Sequence, residues 1–336
     1  MKILRKLLLP FSWIYGIILA FRNMAYDLGW FKSKSYQTPI ICVGNLSTGG
    51  TGKSPMIEFL IDFLKEDYQI AVLSRGYKRK TKGFKEVLVN STAEEVGDEP
   101  LQFKKKYPKV TITVCADRQE GIAKIKTKAD VILLDDAFQH RKVKASTYIL
   151  LTTFNDLYIN DFVLPTGNLR ESKAGARRAD VIVVTKCPEK VSYAKLQEIQ
   201  YELNLEAHQK IYFSKIAYEN KIVGLTENLP LDYLKGKQFT LVTGIANPTL
   251  LVGFLKENKF DFSHKRYADH HHFTPSEIDE LKKEEIILTT EKDFVRLQPR
   301  LDKFAIYYLP IKTVILKNQE SFFKEYIINE IEKFSS

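Results

Sequence analysis

Asn45-Leu46-Ser47-Thr48-Gly49-Gly50-Thr51-Gly52-Lys53-Ser54-Pro55 is the stretch that decides the fold. An apolar run, Ile40-Ile41-Cys42-Val43, precedes it, and a helix-forming pattern, Met56-Ile57-Glu58-Phe59-Leu60, follows. Strand, glycine-rich turn and helix in that order make a phosphate cradle. The glycines let the backbone curl, so that several N–H groups point at one anion. Thr48 through Ser54 are therefore the expected nucleotide-binding residues: Thr48, Gly49, Gly50, Thr51, Gly52, Lys53 and Ser54. Lys53 is expected near the β/γ-phosphates, with the Ser54 hydroxyl on Mg²⁺. The usual pattern has glycine where this chain has Ser47. Nucleoside triphosphate chemistry is the first expectation.

Working outward, apolar runs recur at Gln69–Ser74, Val110–Cys115, Asp130–Asp136, Thr147–Leu151 and Val181–Thr185, with helical patterns among them. Continuous apolar strands alternating with helices predict an α/β fold: a mostly parallel P-loop-type sheet covered by helices on both faces. Ligands of such sheets sit beyond the carboxyl ends of the strands. Past residue 205 the pattern changes. Strands are expected at Ile211–Ala217, Phe239–Thr243, Ile286–Thr290 and Phe304–Tyr308, with helices at 248–257 and 275–284, which predicts a second, smaller α/β unit. A last helix, 318–334, is expected to pack on either unit.

Asp135 and Asp136 end an apolar strand some 80 residues after Lys53. A carboxylate at a strand tip is the second part of a phosphate–Mg²⁺ site; a helix cap or turn explains one such aspartate better than two. Pro165-Thr166-Gly167-Asn168-Leu169-Arg170-Glu171 follows, with Arg170 placed to clamp a phosphoryl group and Glu171 a further candidate metal ligand. Gly97-Asp98-Glu99-Pro100 opens a helix, where Asp98 reads equally as a cap. Four of the six histidines lie between residues 264 and 272. Consecutive side chains do not converge readily on one zinc ion, so His270 is better read as orienting a carboxylate. The three cysteines, in or beside strand runs, are expected as buried thiols in a reducing compartment.

The net charge of +10 is concentrated: residues 1–36 hold six basic residues against one acidic, half of the excess. They flank an uncharged apolar segment, Leu7–Phe21, that carries Trp13 and Tyr15 and is interrupted by Pro10, Ser12 and Gly16. A membrane span needs roughly 20 apolar residues. A signal peptide would need a small-residue cleavage site, which Leu19-Ala20-Phe21-Arg22 lacks. A helix packed on the domain is one alternative; an interfacial helix in an anionic leaflet is the expectation preferred. A nucleic-acid partner is not expected, because basic and aromatic residues do not interleave along a reading surface. A GTPase-type switch protein is disfavoured because Thr185-Lys186-Cys187-Pro188 lacks the guanine-reading aspartate.

Together these motifs resemble the tetraacyldisaccharide 4′-kinase family, the lipid A kinases of Gram-negative envelope biosynthesis. The resemblance rests on residues 43–55, Ser74-Arg75-Gly76-Tyr77, residues 97–100, Asp135-Asp136-Ala137-Phe138-Gln139-His140, residues 165–171, Asp269-His270-His271 and Thr290-Glu291-Lys292-Asp293, in order over most of the chain. Ser47 fits the family's looser loop, whereas Ala137 and Ser54 stand where the family usually has glycine and threonine. The resemblance implies ATP- and Mg²⁺-dependent transfer of phosphate to the 4′-hydroxyl of an acylated glucosamine disaccharide 1-phosphate, at the cytoplasmic face of the inner membrane. It implies Asp98 as base supported by His270, with Lys53 and Arg170 serving catalysis. The implied organisation is a membrane-associating helix (1–22), a P-loop kinase domain (23–208), a smaller domain (209–317) with hinge strands near 211–217 and 304–310, and a C-terminal helix (318–336), acting as a monomer. The alternative is a peripheral-membrane P-loop NTPase of switch or targeting type.

Overall fold

The computed structural model describes residues 5–334; the first four residues of the expected N-terminal segment and the last two of the chain lie outside them. The chain runs α1 (Leu9–Asp27), β1 (Ile40–Asn45), α2 (Lys53–Leu64), β2 (Ile70–Ser74), β3 (Lys85–Glu86), α3 (Ala93–Val96), α4 (Asp98–Lys106), β4 (Thr111–Val114), α5 (Arg118–Ile125), β5 (Val131–Asp135), β6 (Thr147–Thr153) and β7 (Val181–Thr185). It continues with α6 (Tyr193–Leu203), β8 (Lys210–Tyr218), β9 (Lys221–Val223), β10 (Asn228–Pro230), β11 (Phe239–Thr243), α7 (Thr249–Glu257), β12 (Phe262–Arg266), α8 (Pro275–Leu281), β13 (Ile287–Thr289), α9 (Glu291–Leu297), β14 (Ile306–Tyr308), β15 (Ile311–Ile315) and α10 (Glu320–Glu332).

Nine strands form one sheet in the order β15-β8-β7-β6-β1-β5-β2-β4-β3. The strands from β8 to β4 are parallel, while β15 and β3 pair antiparallel at the two edges. Its central strands are apolar throughout because both faces are covered. On β1, Ile41 and Val43 pack with Met56, Ile57 and Leu60 of α2, while Ile40 and Cys42 point the other way, toward Ile122 and Ile125 of α5. Alternation along a buried strand thus feeds two cores at once. All three cysteines are free and buried.

Six strands form the second sheet, β10-β9-β14-β13-β11-β12. Leu241 and Leu288 pack on Leu251 and Leu255 of α7, and Val242 and Ile287 on Ile278, Leu281 and Phe294 of α8 and α9. The edge strand β12, Phe-Ser-His-Lys-Arg, is too polar to read as a strand from sequence; its pairing with β11 creates it. The strand expected at 304–310 as one half of the hinge is corrected. Ile306–Tyr308 belongs to the second sheet, and β8 pairs with the next strand, Ile311–Ile315. Pro310 separates Ile306–Tyr308 from Ile311–Ile315, which is not among the strands expected, since proline has no N–H for a ladder. The last helix, α10, packs on the first sheet: Phe323, Ile327 and Ile331 join its core, with Phe323 edge-on to Phe59 and Tyr212.

Three helices from distant parts of the chain meet at a buried ion cluster. Lys106, ending α4, lies 2.6 Å from Glu58 of α2 and 3.3 Å from Glu291 of α9. Gln102 donates to the remaining Glu58 oxygen at 2.8 Å. Burial, followed by the charge of Glu58, pushes the Glu291 carboxyl up, with Lys106 opposing. Replacing Lys106 by Met leaves two buried carboxylates without a cation. Urea denaturation at neutral pH should show a loss of about 3–5 kcal/mol, and Lys106→Arg a much smaller one.

Candidate active site

The site is assembled from loops at the carboxyl ends of the first sheet's strands. After β1 the chain turns through Leu46–Gly52 and enters α2 at Lys53, with Gly49 (φ 127°) and Gly52 (φ 90°) in conformations that favour glycine. No side chain caps α2, so the orphan N–H groups of its first turn remain available to an anion. Sequence reasoning missed what holds this turn. Asn45 Nδ2 donates to Thr51 Oγ1 at 2.8 Å, and Thr185 Oγ1 donates to the Thr51 carbonyl at 2.7 Å. Lys186 Nζ donates to the Gly50 carbonyl at 2.5 Å. Residues 168–170 run alongside: Thr48 N–H donates to Asn168 O and Arg170 N–H to Leu46 O, each at 2.7 Å. A buried asparagine closing an apolar strand was the legible signal for Asn45.

Lys53, Asp136 and Arg170 are brought together as expected. Lys53 Nζ lies 3.8 Å from Asp136 Oδ1, and Arg170 forks onto both Asp136 oxygens at 2.7 and 3.1 Å. Burial alone would raise the Asp136 carboxyl, but Lys53 and Arg170 outweigh it and hold the carboxyl below the usual range. Asp135 behaves in the opposite way. Burial, then Glu99 and Asp136, push it up to about 7. Ser74 Oγ donates to its Oδ2 at 2.9 Å, while Oδ1 is buried without a hydrogen-bond partner. An orphaned buried carboxylate oxygen beside a phosphate loop suits a divalent cation. Among the described residues no three His, Cys, Asp or Glu side chains converge on a metal; Mg²⁺ takes one or two carboxylates and fills its shell with water and phosphate oxygens.

Glu171, expected with that set, has other partners. Both of its oxygens accept from Arg178 at 2.9 Å, Gln139 donates to Oε1 at 2.9 Å, and Asn23 of α1 donates to Oε2 at 3.1 Å. It therefore ties α1 and the 139–178 region together instead of joining Asp135. His264 is likewise apart from the other histidines, bound to Thr243 Oγ1 at 2.8 Å, and His271 pairs with Glu277.

Asp98 and His270 meet. Gly97 (φ 94°) sets Asp98 at the start of α4, and His270, itself left-handed (φ 57°), reaches it from the loop after β12. His270 Nδ1 lies 3.0 Å from Asp98 Oδ2. Burial would raise the Asp98 carboxyl, but the His270 hydrogen bond, Arg296, and Lys292 outweigh it and hold the carboxyl below the usual carboxylate range. The carboxylate therefore stays ionised at neutral pH. Gly97 packs against the Gly76 and Tyr77 backbone just past β2, whose Ser74 bonds Asp135, which places the dyad at the same carboxyl edge of the first sheet as the phosphate loop. Lys292 and Arg296 are further residues whose parts the sequence did not assign; they lie four apart on one face of α9.

A phosphate loop with a paired acid and an ionised carboxylate beside it defines a P-loop kinase acting on a hydroxyl group. A family model, tetraacyldisaccharide-1-phosphate 4′-kinase, matches residues 4–332. The tetraacyldisaccharide 4′-kinase of Flavobacterium psychrophilum is 48% identical over 99% of this chain and 98% of its own; that of Bacteroides thetaiotaomicron is 41% identical over 98% and 93%. The crystal structure of LpxK from Aquifex aeolicus in complex with ATP superposes with a TM-score of 0.79 at 33% identity, covering 98% of this chain and 99% of its own. The chain belongs to the tetraacyldisaccharide 4′-kinase family.

Because folding lowers the Asp98 carboxyl, its contribution to stability is present above the unfolded-state value, about 4, and is lost as pH falls through the folded-state value. The stability gap between the wild type and Asp98→Asn, read by urea titration, should be widest at neutral pH and close as pH drops below that value.

Proposed function

We propose that this enzyme transfers the γ-phosphoryl group of ATP to the 4′-hydroxyl of a tetraacylated glucosamine disaccharide 1-phosphate, with Asp98 as the general base. The observation that carries this reading is the ionised Asp98, oriented by His270 and lying beside an uncapped phosphate loop. A sugar hydroxyl is a weak nucleophile, and a positioned base contributes typically ~10²–10⁴-fold. The loop amides and Lys53 would grip the β/γ-phosphates, and Arg170 would turn from Asp136 toward the transferring group. Asp135, through its unpartnered Oδ1, and Ser54 would hold Mg²⁺, with Asp136 beside them. When bound there, the ion supplies charge neutralisation at the β/γ-phosphate oxygens. Both members of the dyad come from one chain, so the reading takes a monomer as the working unit.

The reading extends to the membrane. No helix among the described residues is long and apolar enough to cross one. The helix α1 buries Ser12, Leu19 and Ala25 but leaves most of its large apolar side chains outside. Trp13 (70%), Ile17 (69%) and Phe11 (62%) are exposed, whereas Ser12 is buried against Thr166. An outward apolar face with aromatic residues and neighbouring basic ones suits the headgroup layer of an anionic bilayer. We take that bilayer to be the cytoplasmic face of the inner membrane, where ATP and an acylated substrate are both available.

Radiolabelled ATP incubated with the disaccharide 1-phosphate should label the lipid; ATP turnover that is indifferent to the lipid would instead mark a switch-type NTPase. Lys53→Ala should abolish transfer, and Asp98→Ala should cut kcat by about 10²–10⁴-fold with little change in the KM for ATP. Trp13→Ser combined with Ile17→Ser should weaken sedimentation with anionic vesicles by about 10²- to 10⁴-fold, from ~1.5–3 kcal/mol for each of the two side chains buried in lipid.

A further inference from the structure

His270 presents two ring nitrogens to two different partners. Nδ1 faces Asp98 Oδ2 at 3.0 Å, and Nε2 faces Lys292 Nζ at 3.0 Å. We propose that Lys292 is a positioning residue that keeps His270 bare at Nε2, so that a neutral imidazole donates its single Nδ1 hydrogen to Asp98.

The argument is one of donor and acceptor inventory. A lysine ammonium has three donors and no acceptor. The ammonium state is supported by Glu99, whose Oε1 lies 3.5 Å from the same Nζ. His270 Nε2 must therefore accept, and the single ring hydrogen of the neutral imidazole must sit on Nδ1 and point at Asp98. Doubly protonated His270 would press an N–H against the ammonium. The charged or titratable groups facing His270 are Asp98 and Glu99 from α4, Lys292 and Arg296 from α9, and the Tyr77 ring, edge-on at 5.6 Å. Arg296 Nη1, 3.9 Å from Asp98 Oδ2, adds positive charge on the carboxylate side. The His270 backbone is pinned by its N–H donating to the Gly244 carbonyl at 3.1 Å, so ring and backbone are both located from the second sheet.

The consequence concerns where a proton can go. Asp98 Oδ2 is occupied by His270, and no hydrogen bond among the described residues engages Oδ1. If Asp98 is the base, as the proposed function has it, the proton leaving the acceptor hydroxyl arrives at Oδ1 while the new O–P bond forms and the bond from the γ-phosphorus to the bridging oxygen breaks, releasing ADP. It stops there, because Lys292 blocks onward relay through Nε2. His270 then orients and stabilises the carboxylate and does not serve as a shuttle.

The test is the histidine nitrogen spectrum of the full chain labelled with ¹⁵N-histidine, with His270 assigned by the signal lost in His270→Gln. At neutral pH the wild type should show Nδ1 protonated and Nε2 bare. In Lys292→Met the Nδ1 hydrogen, held by the ionised Asp98, should remain and Nε2 should gain a proton, and kcat should fall about 10- to 100-fold with the KM for ATP unchanged; Lys292→Arg, also a pure donor, should restore the bare Nε2. A wild-type ring carrying hydrogen on Nε2, or a Lys292→Met ring identical to the wild type, would overturn the proposal. Failure of the wild type to label lipid would remove the assigned reaction instead, leaving the tautomer measurement to decide the role of Lys292 independently.

Discussion

The first turn of α2 has no side chain to satisfy its amides, and much of the surrounding structure answers to that deficit. The loop is exposed at residues 48–50 and the helix start half-buried at residues 52–55, so a soluble anion can reach these amides and is their natural complement. The loop keeps its curl because Asn45, Thr185 and Lys186 bind its side-chain and carbonyl oxygens from behind. The Thr48 and Thr51 amides are taken by the Asn168 and Gly49 carbonyls, while those of Gly49, Gly50 and Gly52 have no backbone partner among the described residues. Lys53 is only loosely paired with Asp136 at 3.8 Å, whereas Arg170 grips both oxygens of the same carboxylate. A triphosphate entering this turn therefore meets a lysine that is located but not saturated, and an arginine that must exchange one anionic partner for another.

The acceptor side is built from both sheets. Asp98 begins a helix of the first, His270 follows an edge strand of the second, and α9 supplies Lys292 and Arg296 to the pair. The same α9 opens with Glu291, which reaches Lys106 at the far end of the Asp98 helix. Two separated points of α4 are thus tied to one short helix, which sets the orientation of α4 as well as its distance. The sheets are joined through the antiparallel pair β8 and β15. On the proposed reading, relative motion about that ribbon would separate His270 from Asp98, and a competent base would require the two units to be closed on each other.

Much of this was legible in sequence because it rests on local signals. Continuous apolar runs such as Ile70–Ser74 and Val181–Thr185 became parallel strands, and the glycine pattern placed the phosphate loop where the structure has it. Asp135 and Asp136 stood out as acids closing an apolar run. What stayed hidden depends on tertiary partners. The strand β12 is polar and exists because β11 offers it an edge. The strand after Pro310, Ile311–Ile315, is not among those expected, and it joins the first sheet by pairing with β8. Glu171 looks like its neighbour Arg170 in sequence, yet Arg178, Gln139 and Asn23 claim its oxygens. Pairing Asp98 with His270 spans 172 residues, a distance over which composition and periodicity carry no information; only the family resemblance put the two together.

The segment 165–171 connects the outward helix to the chemistry. Its Thr166 exchanges hydrogen bonds with the buried Ser12 of α1, its Asn168 carbonyl accepts from the Thr48 amide, and its Arg170 bridges the Leu46 carbonyl and Asp136. Arg5 adds donors to the Pro165 carbonyl. A polar stripe on α1 therefore faces a strap whose other edge is the phosphate loop, while the apolar side of the helix faces out. In an ordinary surface helix that polarity would be reversed, because burying Ser12 while exposing Trp13 and Ile17 discards the hydrophobic gain. The arrangement becomes favourable when lipid covers the outer face. On the proposed reading, the strap then fixes the phosphate loop relative to the bilayer, and an acceptor sugar whose acyl chains remain in lipid is presented to a nucleotide site that is already registered to its surface.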